Sequence, residues 1–243
     1  MSELDWLLAP VCALVLASIT LVPLGREVLH RGVVFVDLAL AQGAACGALL
    51  SAVWWDHPAW WKVQASASLA ALLLAGLVAW VVQRWPAQRE ALIGLLYVAG
   101  ANLALWGASW EPHGRERLHQ LLSADVLWAP WSAIVWFSLC AVPAWLLALR
   151  WRHTLANNAV FYPLFAVVLS AAVPLLGLYL VFALLIAPAL WTFKGHNMVA
   201  AISLAVGACL LGLTVSWTWD APSGACVALA TALVGLGSLW KRS

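Results

Sequence analysis

The chain has 243 residues, of which 65% are hydrophobic and 9% charged, with a formal net charge of +2. A soluble domain carries about 25% charged residues and keeps roughly a quarter to a third of its area wet, so a water-soluble fold is excluded by composition. The bilayer is the expected solvent, and no basic tract points to nucleic acid.

In hydrocarbon every backbone N–H and C=O must pair internally, which leaves helices or a closed barrel. The apolar runs are continuous rather than alternating, and most approach the ~20 residues a spanning helix needs, so a barrel is rejected. The first run, residues 6–24, follows a start with Glu3 and Asp5 but no Lys or Arg. A secretory signal has a basic start, so this run reads as a retained span.

The second run, 32–54, contains Asp37 with apolar residues on both sides. A carboxylate within a span is costly and faces a polar path or a partner, so Asp37 is the leading functional candidate, against a structural clamp between helices. Gln42 follows on a neighbouring but not identical helix face; it is a second path-lining group or interhelical glue. Gly43 and Gly47 form a GxxxG that permits close helix approach, and Gly94, Gly100, Gly207 and Gly212 are candidates for the same role.

Runs three and four cover 63–82 and 91–108. Glu90, beside Arg89, either lines a pathway mouth or caps the fourth helix. Asn102 reads as an interhelical hydrogen-bonding group. The break at 109–127, SWEPHGRERLHQLLSADVL, is polar, then amphipathic, and belongs at the interface. It holds Glu111, His113, Glu116 and His119, plausible ligands for a zinc-like ion, but only Glu116 and His119 share a helical spacing; a solvated loop is the stronger reading.

Run 128–149 leads to RWRHTLANNA, residues 150–159, a basic break that docks on a partner or is an ordinary inner loop. The stretch 160–192 carries no charge and is too long for one span. Pro163, Pro174, Gly177 and Pro188 interrupt it, so it reads as a helix, a break and a second helix. Runs 198–217 and 222–240 complete the chain. The expectation is an all-α, polytopic transmembrane helical bundle of eight to nine spans, a single domain over 1–243.

Lys and Arg concentrate in cytoplasmic loops. With nine crossings and the N-terminus outside, Arg26, Arg31, Arg84, Arg89, Arg150, Arg152, Lys194, Lys241 and Arg242 fall inside, and Lys62, Arg115 and Arg117 outside, a split of nine to three. If 160–192 crosses once, the split is six to six, so nine crossings are favoured. Many of the 18 Trp residues cluster at run ends as interface belts, whereas Trp80 and Trp136 read as packing inside the bundle. The five cysteines lie in apolar runs without a CxxC and read as small buried residues.

No GxxxxGK[ST], HExxH or GxSxG occurs, so nucleotide binding by a P-loop is excluded and a protease or hydrolase reading is weak. ATP hydrolysis, if it drives this chain, belongs to another polypeptide.

Three blocks, PLGREVLHRGVVFVDLALAQGAACGALL (23–50), REALIGLLYVAGANLALWG with HQLLSADVLW (89–107, 119–128), and FYPLFAVVLSAAVPLLGLYLVFALLIAPAL through SWTWDAPSGACVALATAL (161–233), resemble the permease subunits of the ABC-3 family of zinc, manganese and iron importers. The resemblance implies a permease homodimer in the cell inner (plasma) membrane. It also implies cytoplasmic ABC ATPase subunits that bind ATP, and an extracytoplasmic metal-binding protein that delivers a divalent metal ion as substrate. This chain would hold no cofactor. Asp37 matches the family's pathway aspartate, with Gln42 and Glu90 as further transient metal contacts. Segment 150–159, with Arg150, Arg152, Asn157 and Asn158, would contribute to the ATPase-coupling surface. Many members place a histidine four residues after the aspartate; here that position is Ala41, followed by Gln42. The alternatives from the residues alone are an ATPase-independent secondary transporter and a structural subunit of a membrane complex.

Overall fold

The computed structural model describes residues 5–55, 59–110, 113–150 and 155–238. These residues are helical throughout, with no strand among them. In chain order the helices are α1 (Asp5–Arg31), α2 (Val36–Trp54), α3 (Trp60–Arg84), α4 (Arg89–Ala108), α5 (Gly114–Leu122), α6 (Trp131–Arg150), α7 (Asn158–Leu176), α8 (Leu178–Phe193), α9 (Met198–Trp219) and α10 (Ser223–Gly237). A short 3-10 turn, Val126–Trp128, separates α5 from α6. Helices α1, α3, α4, α7 and α9 are long and apolar enough to cross a bilayer, and α2, α6, α8 and α10 are shorter apolar helices.

The stretch 160–192 runs out and back. Asn158, at the start of α7, is bonded to Arg31 at the end of α1, and Phe193, at the end of α8, packs at a tilt against His30 with ring centroids 4.7 Å apart. Between them, Gly177 sits against the α5–α6 connection at the opposite end: a Cβ on it would stand 2.5 Å from the backbone nitrogen of Ala124. Gly177 has φ 80° and ψ 151°, a conformation essentially restricted to glycine. The expected break is therefore at Gly177. Pro163, Pro174 and Pro188 instead lie within helices.

A proline inside a helix leaves one carbonyl without its amide. For Pro174 that carbonyl belongs to Ser170, and Gln64 of α3 supplies the missing donor, Nε2 to O at 3.0 Å. Ser68 and Ser170 hydroxyls meet 2.9 Å apart beside it. This is how a membrane helix with an internal proline stays satisfied without water.

Lipid tails are as apolar as the side chains, so close packing rather than apolar burial holds such a bundle together. Gly47 of α2 meets α3, where a Cβ would lie 2.4 Å from the Ser66 carbonyl oxygen, and Gly43 rests on Leu74. Gly212 meets α10 at Val227, and Gly25 meets α8, with a Cβ position 1.8 Å from the Leu185 oxygen. Gly94 and Gly207 have open space around them and do not serve close approach. Helices α7 and α8 supply much of the centre, with Phe161, Tyr162, Phe165, Leu169, Leu176 and Leu184 fully enclosed.

At the end bearing Gly177, the α5–α6 connection is seated between two glycines. A Cβ on Gly224 would stand 2.1 Å from the Ala124 oxygen, facing Gly177 on the other side. Asp125 accepts hydrogen bonds from Ser223 Oγ and from the backbone N–H of Leu127. The expected amphipathic interfacial segment is thus α5 and this seated turn.

Several expectations are corrected. Helix α1 does not stop near residue 24 but continues through Arg26 and Glu27 to Arg31, and α2 starts at Val36 rather than 32. Trp80 is not internal: it is 55% exposed and packs edge-on against Trp85. Trp136 is half-buried against Trp60. Cys12 is exposed, Cys209 alone among the described cysteines is fully buried, and Cys46, Cys140 and Cys226 are half-buried. Asn102 Nδ2 donates to Val98 O of its own helix rather than across to another. The Trp residues at helix ends, including Trp60, Trp106, Trp128 and Trp219, are exposed as belts require.

Candidate functional site

Helix α1 ends on Gly32 in the left-handed conformation, φ 59°. Gly32 N donates to Leu29 O and Val33 N to Val28 O, the paired bonds of a Schellman cap, with Val28 and Val33 both enclosed. The linker 32–35 then turns directly into α2, and Val36 N donates back to Val33 O at 3.1 Å. This places Asp37 in the first turn of α2, close to a helix end, where unpaired amides favour an anion.

Asp37 is 1% exposed and no side chain bonds to its carboxylate; the donors that reach it are the backbone amides of Asp37 and Leu38 at the start of its own helix. Glu90, in the first turn of α4, comes within electrostatic reach of it. Glu90 does not cap its own helix. Its Oε1 accepts from the backbone N–H of Val34 at 2.7 Å, and its Oε2 is buried without a partner. Arg89 lies over the linker, its Nη2 3.0 Å from where a Cβ on Gly32 would be. Tyr162 of α7 is fully buried, its hydroxyl has no partner, and it interacts electrostatically with Arg31, Arg89 and Glu90.

The structure therefore joins four elements into one polar site in an otherwise apolar bundle. Two carboxylates and a phenol contribute oxygen atoms, and two guanidinium groups flank them. A buried carboxylate without a counter-charge is expensive and persists where an ion, a proton or a second conformation completes it. Oxygen donors of this kind replace the water of a hard divalent cation.

Gln42 is 4% exposed, with Oε1 unpartnered. It lies about 7.5 Å further along α2 and about 140° around it from Asp37. Its Cβ faces Gly100 of α4, 3.2 Å from where a Cβ on that glycine would be. Asp37 and Glu90 are thus brought together, and Gln42 sits deeper on the α2–α4 contact.

Tyr162 was not legible as a site residue. Its only local signal is a phenol beside the polar break 150–159. Of the coupling candidates, Arg150 is exposed at the end of α6 and Arg152 lies outside the described residues. Asn157 caps α7, its Oδ1 accepting from Ala159 N at 2.9 Å, and Asn158 Oδ1 accepts from Arg31 Nη1 at 3.0 Å. In the α5 region His113 and Glu116 are 4.0 Å apart and largely exposed, and no group of three His, Cys, Asp or Glu gathers among the described residues. Glu111 lies outside the described residues.

The sequence model of the ABC 3 transport family matches residues 153–242, the part that holds Asn157, Asn158, Tyr162 and Gly177. Asp37, Gln42 and Glu90 precede the matched part. The fold is similar to that of "PsaBC from Streptococcus pneumoniae in complex with Fab", with a TM-score of 0.74 at 16% identity, covering 98% of this chain and 92% of that one. The comparison with curated proteins gives no match.

Proposed function

We propose that this chain is a permease of the ABC 3 transport family, the multi-pass inner-membrane component of an importer of divalent metal ions. The observation that carries the reading is Asp37, buried, without a side-chain partner and within electrostatic reach of Glu90 in a membrane bundle. The reading gives the chain nine crossings, with the end bearing Arg31, Arg89 and Asn158 in the cytoplasm. The out-and-back course of α7 and α8 supports that count, as does the nine-to-three charge split.

In this reading ATP is bound and hydrolysed by separate cytoplasmic ATPase subunits, and an extracytoplasmic metal-binding protein delivers the ion. The permease acts as a homodimer, so each path carboxylate occurs twice. The site donors are oxygen atoms of Asp37, Glu90 and Tyr162, with Gln42 deeper along α2. No imidazole or thiolate joins them, which suits manganese(II) better than zinc. The carboxylates bind the ion weakly enough for release, since conduction needs both entry and exit. Arg150, Arg152, Asn157 and Asn158 belong to the region that meets the ATPase.

The test is purification from native membranes in mild detergent, followed by metal uptake into proteoliposomes. A stoichiometric ATPase and ATP-dependent manganese uptake are expected. A well-folded chain with no ATPase that still carries metal is a secondary carrier, and one with neither is a structural subunit.

A further inference from the structure

We infer that Arg31 is the joint through which the segment preceding α7 moves Asp37, so that motion imposed by the ATPase reaches the metal path. This rests on the permease reading above. The Arg31 side chain is 12% exposed and three of its neighbours lie on one distant segment. Nη1 donates to Asn158 Oδ1 at 3.0 Å, Nη2 donates to the Leu155 carbonyl oxygen, and the guanidinium lies 4.1 Å from the centroid of the Phe161 ring. Glu27, one turn earlier on α1, is its only carboxylate neighbour within ion-pair range among the described residues, at 3.9 Å.

From Arg31 the chain reaches Asp37 through a linker of four residues, 32–35, stiffened by the Schellman bonds and by Val36 N to Val33 O. So short a linker cannot absorb a displacement. If the segment at 155–158 shifts, either Arg31 gives up its bonds or the start of α2 moves with it. On the far side, Val34 N is tied to Glu90, whose carboxylate is within electrostatic reach of Asp37. A pull on the linker therefore alters the distance between the two carboxylates that face the ion.

The site also holds partners for a second arrangement. Glu90 Oε2, Tyr162 Oη and Arg31 Nε are buried and unpaired. Each such atom is costly as it stands, and a shift that paired two of them would offset the bonds lost. A contiguous contact path is a physical route for coupling, and its strength is measured by mutation.

The experiment uses the permease–ATPase complex in proteoliposomes and reads ATP hydrolysis and manganese uptake together. In R31A, manganese taken up per ATP hydrolysed falls about fivefold or more, the lower end of ordinary coupling strengths. R31K keeps the charge but not the two-pronged donor and falls between. N158A removes one acceptor and lowers the ratio less, and R31A/N158A is no worse than R31A alone. An unchanged ratio in R31A and N158A, or uptake and hydrolysis falling in step, overturns the joint. If R31A does not fold, the N158A ratio decides. A wild-type complex that carries no manganese removes the permease reading and the joint with it. A coupled wild type with indifferent variants removes the joint alone.

Discussion

Val34 and Glu90, 56 positions apart, are joined by a 2.7 Å hydrogen bond in which the Val34 amide donates to the Glu90 carboxylate. The bond fixes the entry to α2 against the start of α4. Glu90→Ala leaves that amide without a partner and costs about 1–3 kcal/mol, whereas Glu90→Gln keeps an acceptor and costs less. The apparent melting midpoint in detergent should drop more for the alanine variant. Equal midpoints would remove the tether.

Asp37→Asn keeps the shape of the side chain and removes its charge. The amide keeps an oxygen that accepts from the backbone at the start of α2, and no side chain bonds to this group, so the fold should survive with an unchanged melting midpoint. Manganese uptake should fall by at least about tenfold, the loss that even outer-shell changes at metal sites produce. Uptake at the wild-type rate would take Asp37 out of the path.

The pairing of Gln64 with the Ser170 carbonyl exists because Pro174 cannot donate there. Gln64→Leu should destabilise the protein by about 0.5–2 kcal/mol. In a background with Pro174→Ala, which restores the helix's own donor, the same change should cost much less. A cost that is the same in both backgrounds, read as a double-mutant cycle on the melting midpoint, would show that Gln64 does not serve this carbonyl.

Gly177→Ala must force a side chain into φ 80° and against the Ala124 backbone. The conformation alone costs about 1–3 kcal/mol, and the overlap adds to it. Gly94→Ala and Gly207→Ala meet nothing and should be neutral or stabilising by up to about 1 kcal/mol. Expression level and melting midpoint of the three variants, compared side by side, check the contrast.

Much of the fold was legible from composition because hydrocarbon leaves the backbone few options. The break at Gly177 followed from a charge-free stretch too long for one span, and the outer Trp belts from their place at run ends. The facing of individual helices was not legible. In water an apolar stripe marks the buried side, but a membrane helix is apolar all round. Trp80 and Cys12 were therefore assigned inward and face outward. Arg26 and Glu27 read as a loop because they are charged, yet α1 continues through them, held close to α8 at Gly25.

At the site, Asp37 was legible because a lone carboxylate in an apolar run is conspicuous. The tie between Glu90 and Val34 was not, since a backbone amide carries no signature in the sequence. Arg31 was seen only as a marker of sidedness. Its partners at Leu155, Asn158 and Phe161 lie more than half the chain away, and no local pattern connects them.

The seat of Ala124 between Gly177 and Gly224 bears on the order in which the protein is made. Helices enter the membrane as they leave the ribosome, and the turn before α6 is among the early segments to arrive. One wall of its seat is laid down with α7 and α8, and the other only with α10, the last described helix. Until then the seat has one wall only, so the end of the bundle bearing Gly177 closes once α10 is in place. A chain stalled before α10 would leave this turn open to protease, a mark by which copies lacking α10 can be told from those that hold it.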